Sequence, residues 1–294
     1  MILGPTNIIG FHLLRFFRMD ARGNTILNID HLACIYDTDP VLVCDDLTLN
    51  RGDIHFMVGK SGMGKSTFLE AIGLMTDTIS ADSKVHFEGY EKNLKEIWSD
   101  GTYEISGFRK KNCSFIFQNT NLMSNFSAGE NMCFGKMISG ASYEESKKGV
   151  LKLMEAMDLD EDLFDRNIFR LSGGQRQRLA FIRAFTADFE VMFCDEPTGN
   201  LDAIIANKLM KFMKNSIKAT DKTAVIVSHD VDLALKYADK IFIIKPESTP
   251  NVHGYLSPDT TIAKSEGLWT SLTGRAILNP RDFIFKNMSE NGKS

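Results

Sequence analysis

The chain has 294 residues, of which 43% are hydrophobic and 24% are charged, values typical of a globular protein with a sizeable core. Its 34 Lys and Arg residues against 38 Asp and Glu residues give a net charge of -4, which disfavours a generally basic nucleic-acid-binding protein. The 5 cysteines form no CxxC pair, so reduced thiols fit better than a zinc ribbon or a disulfide framework. The apolar stretch at residues 8–17 is too short for a transmembrane helix and is a poor signal peptide, because His12 and Arg15 interrupt it.

Apolar strands and helical segments alternate from about residue 28 onward. We predict strands at residues 33–36, 41–44, 54–58, 114–117, 191–194, 223–228 and 241–244. Helices are predicted at residues 66–75, 145–157, 174–187 and 231–238, and residues 119–170 are expected to be mostly helical. All-apolar strands that alternate with helices predict an α/β domain with a largely parallel sheet. Prolines recur after Lys245 and the periodicity weakens there, so we place a domain boundary between residues 245 and 246.

Residues 59–66 read GKSGMGKS and match G-x-x-x-x-G-K-[ST], the pattern of a phosphate-binding loop. They follow a predicted strand and open a predicted helix, where backbone N–H groups can point at phosphate oxygens. We expect Lys65 to reach the β- and γ-phosphates of a nucleoside triphosphate and the Ser66 hydroxyl to bind Mg²⁺. The predicted nucleotide contacts in this loop are Gly59, Lys60, Ser61, Gly62, Met63, Gly64, Lys65, Ser66 and Thr67. The loop alone does not distinguish a small-molecule kinase, a GTPase and an ATPase, although residues 207–210 lack the Asp that a GTPase motif usually has.

Residues 171–175 read LSGGQ at the start of a predicted helix. A serine and two glycines in this position offer a hydroxyl and close backbone N–H donors, and so a second anion site. Here the sequence resembles the ATP-binding cassette (ABC) ATPases, whose signature is LSGGQ. The resemblance implies a P-loop NTPase fold with a RecA-like core, an antiparallel β subdomain and an inserted helical subdomain at about residues 119–170. It also implies that two copies pair head to tail, with each ATP held between the phosphate loop of one copy and the partner's signature, here Ser172, Gly173, Gly174 and Gln175.

Residues 191–196 read VMFCDE and predict a buried strand with two carboxylates at its C-terminal end, similar to the Walker B strand of the family. The resemblance implies that Asp195 holds Mg²⁺ and that Glu196 is the general base for the attacking water. Gln118 resembles the glutamine that senses Mg²⁺ and the γ-phosphate, and His229 resembles the switch histidine that contacts the γ-phosphate. The expected catalytic residues are Glu196, His229, Gln118 and Lys65, and the expected Mg²⁺ ligands are Ser66, Gln118 and Asp195.

Two further nucleotide contacts are expected from the resemblance. Asp202 resembles the residue that crosses the dimer interface, and Tyr36 resembles the aromatic that stacks on adenine, although a core tyrosine is the alternative. Met63 stands where the family usually has Ser, and its side chain is expected to point away from the phosphates. Since no catalytic position is missing, an active hydrolase is predicted.

The resemblance covers residues 28–245. Residues 195–202 (DEPTGNLD) and Asn131 are similar to the branch of the lipoprotein-release, macrolide-efflux and cell-division ATPases (LolD, MacB and FtsE). It implies an ATP- and Mg²⁺-dependent subunit at the cytoplasmic face of a membrane, which drives separate transmembrane permease subunits by mechanical transmission in lipoprotein release, efflux or another cell-envelope task. The alternatives are a non-transport ABC ATPase that acts on nucleic acid and a module that binds ATP without turnover. No nucleic acid is expected as a partner, because residues 119–170 contain no sustained heptads and no CxxC pair.

The two ends, residues 1–27 and 246–294, exceed the cassette. Apolar residues and three arginines at helical spacing within residues 8–22 predict an amphipathic basic helix for an anionic membrane surface; the alternative is a helix that folds back on the cassette or the membrane partner. In the tail, Trp269, Phe283 and Phe285 indicate that part of the segment packs against protein. Dimerisation, partner docking and regulation all remain open as its role.

Overall fold

The computed structural model describes residues 23–36, 39–246 and 252–289, so the predicted amphipathic helix at residues 8–22 lies outside the described residues. The strands are β1 (Thr25–Tyr36), β2 (Asp39–Asn50), β3 (Ile54–Val58), β4 (Lys84–Phe87), β5 (Cys113–Ile116), β6 (Val191–Asp195), β7 (Thr223–Val227), β8 (Lys240–Ile243), β9 (Lys245–Pro246), β10 (Gly254–Leu256), β11 (Thr261–Ser265) and β12 (Leu268–Ser271). The helices are α1 (Lys65–Ile72), α2 (Leu94–Ser99), α3 (Thr102–Asn112), α4 (Ala128–Ile138), α5 (Tyr143–Ala156), α6 (Gly173–Thr186), α7 (Ala203–Thr220), α8 (Val231–Tyr237) and α9 (Pro280–Ser289). None of these helices is long and apolar enough to cross a membrane.

A mostly antiparallel sheet of five strands, in the order β4-β1-β2-β10-β9, forms one layer of the described chain. Its centre is the antiparallel pair of β1 and β2, each 12 residues long. The predicted strands at residues 33–36 and 41–44 are therefore only parts of two much longer strands. Polar positions such as Asp30 interrupt the apolar runs, but they face outward while Leu27 and Ile29 are buried, which is the period-two pattern of a half-buried strand.

The second sheet has seven strands within the described residues, in the order β12-β11-β8-β3-β7-β6-β5. The five strands from β8 to β5 are parallel, as predicted, and every residue of β3 and β7 is buried. Because parallel strands end at the same edge, the segments that follow β3, β5, β6 and β7 meet there. This edge therefore brings together residues that lie far apart in the sequence.

Residues 119–170 contain α4, α5 and two short 3-10 helices, in line with the mostly helical segment expected there, while residues 119–126 form turns and irregular loop. Serine capping boxes, in which a serine and a glutamate three residues later bond each other's backbone N–H, begin both α4 and α5. Buried Asn131 holds the preceding turns: its side-chain amide accepts from Met123 N (2.7 Å) and donates to Met123 O (3.0 Å) and Ser127 O (2.9 Å). The loop before α4 is thus fixed from inside.

The tail contributes strands to both sheets. β10 pairs in parallel with β2, and β11 pairs antiparallel with β8. The predicted boundary between residues 245 and 246 therefore falls inside β9, and the predicted start at residue 28 falls inside β1. Trp269 is buried in the main core and Phe283 packs against it, while Phe285 is 46% exposed.

Candidate functional site

A cavity of about 330 Å³ opens at the carboxyl edge of the parallel strands. It is lined by residues from the phosphate loop and from the ends of β2, β5, β6 and β7, namely Val41, Ser61, Gly62, Gly64, Lys65, Ser66, Thr67, Gln118, Asp195, Glu196, Val227 and His229. The structure therefore gathers into one cavity all the residues expected to be catalytic and all the expected Mg²⁺ ligands. Val41 and Val227 also line it, and no sequence signal marked them, because apolar residues are common in strands.

The phosphate loop joins β3 to α1. Gly62 and Gly64 both have a positive φ, 81° and 80°, which side chains rarely adopt. A Cβ atom on Gly64 would also lie only 2.9 Å from the Cβ atom of Leu42 on β2. The loop curls around its own lysine, because Lys65 Nζ donates to the carbonyl oxygens of Gly59 (3.0 Å) and Lys60 (2.7 Å). Burial lowers the pKa of Lys65, against the opposing effect of two nearby carboxylates.

Oxygen donors face one another across the cavity. The Ser66 hydroxyl at the start of α1 donates to Asp195 Oδ2 (2.7 Å) at the end of β6. Gln118, exposed after β5, adds an amide to the same cavity. The Met63 side chain is 7% exposed and belongs to the core beneath the loop, so it points away from the cavity as expected.

Glu196 has an unusual backbone and an unusual carboxyl group. Its φ of 47° lies in the left-handed region, at a cost of about 1–2 kcal/mol for a residue with a side chain. Glu196 N donates to Val227 O (3.0 Å), and Gly199 N donates to Glu196 O (3.2 Å), which holds this conformation. Burial, followed by the charge of neighbouring Asp195, raises the pKa of Glu196 to about 7. A carboxyl group with this pKa can exchange a proton near neutral pH.

His229 approaches Glu196 from the end of β7. Its Nε2 lies 3.3 Å from Glu196 Oε1, yet this oxygen is buried without a hydrogen bond to any described residue. The His229 side chain is 54% exposed, and its pKa is lowered by burial and by the charge of Lys65. The imidazole is therefore predominantly neutral at neutral pH, with one nitrogen able to accept a hydrogen bond.

The signature residues lie outside the cavity lining. Ser172 caps α6: its Oγ accepts from Gln175 N (3.2 Å) and its backbone N donates to Gln175 Oε1 (2.8 Å). The start of α6 packs beside the segment after β6, where a Cβ atom on Gly174 would lie 3.6 Å from Leu201 Cδ2. Asp202 caps α7 by accepting from the backbone N–H groups of the second and third residues of that helix. In this structure the hydroxyl of Ser172 and the carboxylate of Asp202 thus act as helix caps.

Other predicted nucleotide contacts are also absent from the lining within the described chain. They are Tyr36, Gly59, Lys60, Met63, Gly173, Gly174 and Gln175. Tyr36 is 54% exposed at the end of β1, so it is not the core tyrosine that was the alternative. Gly59 packs underneath the loop, where an added Cβ would lie 3.0 Å from Ile244 Cβ.

Comparison with known proteins identifies the relatives of this chain. The ABC transporter family model matches residues 44–199. The ATP-binding protein LolD of the lipoprotein-releasing system of Pseudoalteromonas translucida is 36% identical over 191 residues, which cover 65% of this chain and 79% of LolD. These matches do not favour the alternative of a non-transport ABC ATPase.

Two solved structures are similar in fold. The dimeric structure of MJ0796, an ABC transporter cassette from Methanocaldococcus jannaschii, has a TM-score of 0.66 at 26% identity and covers 79% of this chain and 94% of MJ0796. A dimeric post-hydrolysis state of the same cassette, bound to ADP and Pi, has a TM-score of 0.66 at 25% identity with the same coverage. Sequence and fold together confirm the predicted family, fold class and enzyme class: this chain belongs to the ABC transporter family and is a transporter-type ATP-binding subunit that hydrolyses ATP.

Proposed function

We propose that two copies of this chain pair head to tail around two ATP molecules and drive separate transmembrane subunits at the cytoplasmic face of a membrane. The observation that carries the proposal is the division of the predicted site. The cavity is lined by part of the phosphate loop, Gln118, both Walker B carboxylates and His229, whereas Ser172 and Asp202 are exposed outside this lining. A second copy would supply these two residues and the signature N–H groups to the open side of the nucleotide.

Mg²⁺ fits the donor set of the cavity. The Ser66 hydroxyl, the Asp195 carboxylate and the Gln118 amide offer only oxygen ligands that this hard cation prefers. Ser66 and Asp195 already lie within 2.7 Å of each other through their oxygen atoms. Bound there, Mg²⁺ would neutralise phosphate charge.

The protein groups have distinct tasks in the hydrolysis. Lys65 and the N–H groups of the phosphate loop bind the β- and γ-phosphates. Glu196 accepts a proton from the attacking water while the water oxygen bonds to the γ-phosphorus and the bond to the leaving ADP oxygen breaks. His229, whose Nε2 lies 3.3 Å from Glu196 Oε1, contacts the γ-phosphate next to Glu196. Tyr36, which is exposed at the end of β1, would stack on the adenine.

The surface for the transmembrane partner is proposed on the helical subdomain. Phe126, Phe134, Met137 and Ile138 are all between 37% and 47% exposed, although they are large and apolar. The rings of Phe126 and Phe134 lie 6.1 Å apart, so the loop at residues 119–126 and α4 form one apolar surface. Such a patch marks a protein contact. The loop also follows Gln118, so nucleotide-driven movement of this residue can reach the partner.

The branch assignment and the N-terminal contact are also proposals. The relatedness to LolD supports a cell-envelope task such as lipoprotein release. Residues 8–22 are proposed to contact an anionic membrane surface because of their arginines and apolar positions. Deleting residues 1–22 should abolish binding to vesicles that contain anionic lipid, and unchanged binding would exclude this role.

Glu196→Gln tests the catalytic part of the proposal. The variant should bind ATP as the wild-type protein does, but its turnover should fall by roughly 100-fold or more because the proton acceptor is lost. Glu91→Gln is the matched control, since Glu91 is exposed and lies outside the cavity lining. Undiminished turnover of Glu196→Gln would exclude Glu196 as the base.

A further inference from the structure

The tail strand β10 touches the phosphate loop. Gly254, Tyr255 and Leu256 pair with Leu42, Val43 and Cys44 of β2 in parallel. This is the part of β2 that packs against the loop, since an added Cβ on Gly64 would lie 2.9 Å from Leu42 Cβ and 3.4 Å from Val41 O. β2 and the neighbouring tail strand β10 therefore both pack against the phosphate loop beside the nucleotide cavity.

Within β10, Gly254 lies closest to the phosphate loop. Its φ lies outside the left-handed region, so its backbone would accept a side chain. A Cβ atom there, however, would lie 2.8 Å from Met63 O and 2.6 Å from Ile244 Cγ2. Only glycine allows the tail to approach the loop this closely, and the nearest loop atom belongs to the backbone, which cannot rotate away as a side chain can.

Ile244 links the same tail residue to the other end of the loop. Its Cγ2 faces Gly254, and its Cβ would lie 3.0 Å from a Cβ on Gly59. Gly59 is the first residue of the loop and its carbonyl accepts from Lys65 Nζ. Displacing Ile244 or Met63 would therefore move the residues that hold Lys65.

β10 is firmly anchored on its other side. The Tyr255 hydroxyl donates to Asp45 Oδ2 (2.9 Å), and Asp45 Oδ1 lies 2.6 Å from His31 Nδ1. Leu256 is completely buried in the core beneath the loop. An added methyl group at Gly254 is thus expected to displace the loop at least as much as the tail strand.

We propose that Gly254 is a positioning residue for the ATP site: its contact with Met63 and Ile244 sets the position of the phosphate loop, and thereby the affinity for ATP. The proposal rests on the proposed ATP site, and it gives the segment after Lys245 a task in the cassette. The tail would then adjust nucleotide binding without contributing a group to the cavity.

Gly254→Ala in the full-length chain tests the proposal. The dissociation constant for ATP, measured at equilibrium under conditions without turnover, should rise by about fivefold or more, which corresponds to the lower end of the usual cost of over-packing. Gly149→Ala is the control, because Gly149 lies on α5 with nothing within 4 Å of an added Cβ. A folded Gly254→Ala protein with a lower melting temperature but wild-type ATP affinity would overturn the proposal.

Hydrogen exchange of the wild-type protein provides a second test that does not depend on a variant that folds. Coupling is reciprocal, so binding of a non-hydrolysable ATP analogue should slow amide exchange in residues 254–256. The hairpin of β11 and β12 serves as the internal control and should not change. Unchanged exchange in residues 254–256 would overturn the proposal, whereas a wild-type protein that does not bind ATP would instead refute the proposed function.

Discussion

ATP hydrolysis is expected to accelerate as the pH rises through neutrality, because Glu196 must be ionised to accept a proton. Burial and the charge of Asp195 raise the pKa of Glu196 to about 7. A single group with this pKa is ionised to about 9% at pH 6 and about 91% at pH 8. Since kcat/KM reports the free enzyme, it should increase about tenfold over this interval.

Phosphate release at ATP concentrations well below KM measures this dependence directly. The ATP dissociation constant should be measured at each pH in parallel, so that effects of pH on binding are separated from those on chemistry. The residual activity of Glu196→Gln should lack the rise, because an amide does not titrate in this range. A flat or falling kcat/KM between pH 6 and pH 8 in the wild-type protein would refute the assignment of Glu196 as the base.

Three further predictions concern the scaffold of the site. Arg51→Met should lower the free energy of unfolding by about 2–3 kcal/mol, because it removes the buried guanidinium that bridges Glu88 and Glu190. An unchanged midpoint of urea unfolding would contradict this prediction. Burial lowers the pKa of His55 to about 3, so below the ordinary histidine pKa of 6.5 the unfolded chain binds more protons than the folded protein. The free energy of unfolding should therefore fall by about 2 kcal/mol between pH 8 and pH 5. The same pH dependence in His55→Leu would exclude His55 as the cause. Asn131→Ala should release the loop before α4 and so weaken co-purification with transmembrane subunits. ATP turnover of the isolated protein should stay within about twofold of the wild-type value. Co-purification equal to that of the wild-type protein would count against the helical subdomain as the partner surface.

The chemistry of the site was accessible from the sequence because each functional group follows a strand at a recognisable motif. Parallel strands then place Gln118, Asp195 and His229 at one edge without any further information. The direction of the Met63 side chain was also predictable, since the loop backbone turns its amides inward. Nothing in the sequence indicated Val41 as part of the cavity, because its place there depends on the close packing of β2 against Gly64.

The elements that sequence analysis missed are short, amphipathic or non-local. α7 (Ala203–Thr220) has buried residues at positions 206, 209, 210, 213 and 217, a helical spacing that could have been recognised. β10 has 3 residues and β9 has 2, too few for a periodic signal, and their pairing depends on contacts with distant β2. The role of Gly254 could not be read from a pattern, because it arises from a contact between residues nearly 200 positions apart in the chain.

The mass of the Glu196→Gln protein in the presence of ATP and Mg²⁺ tests the head-to-tail site most directly. Light scattering should show a doubling from the monomer mass of 33.0 kDa when ATP is added. Adding Ser172→Arg should abolish the doubling but leave ATP bound, since the signature contacts the nucleotide of the other copy. Ser99→Arg, on the exposed face of α2, is the control that should still dimerise. ATP-bound Glu196→Gln protein that stays monomeric, or that still dimerises with Ser172→Arg, would contradict the shared ATP site.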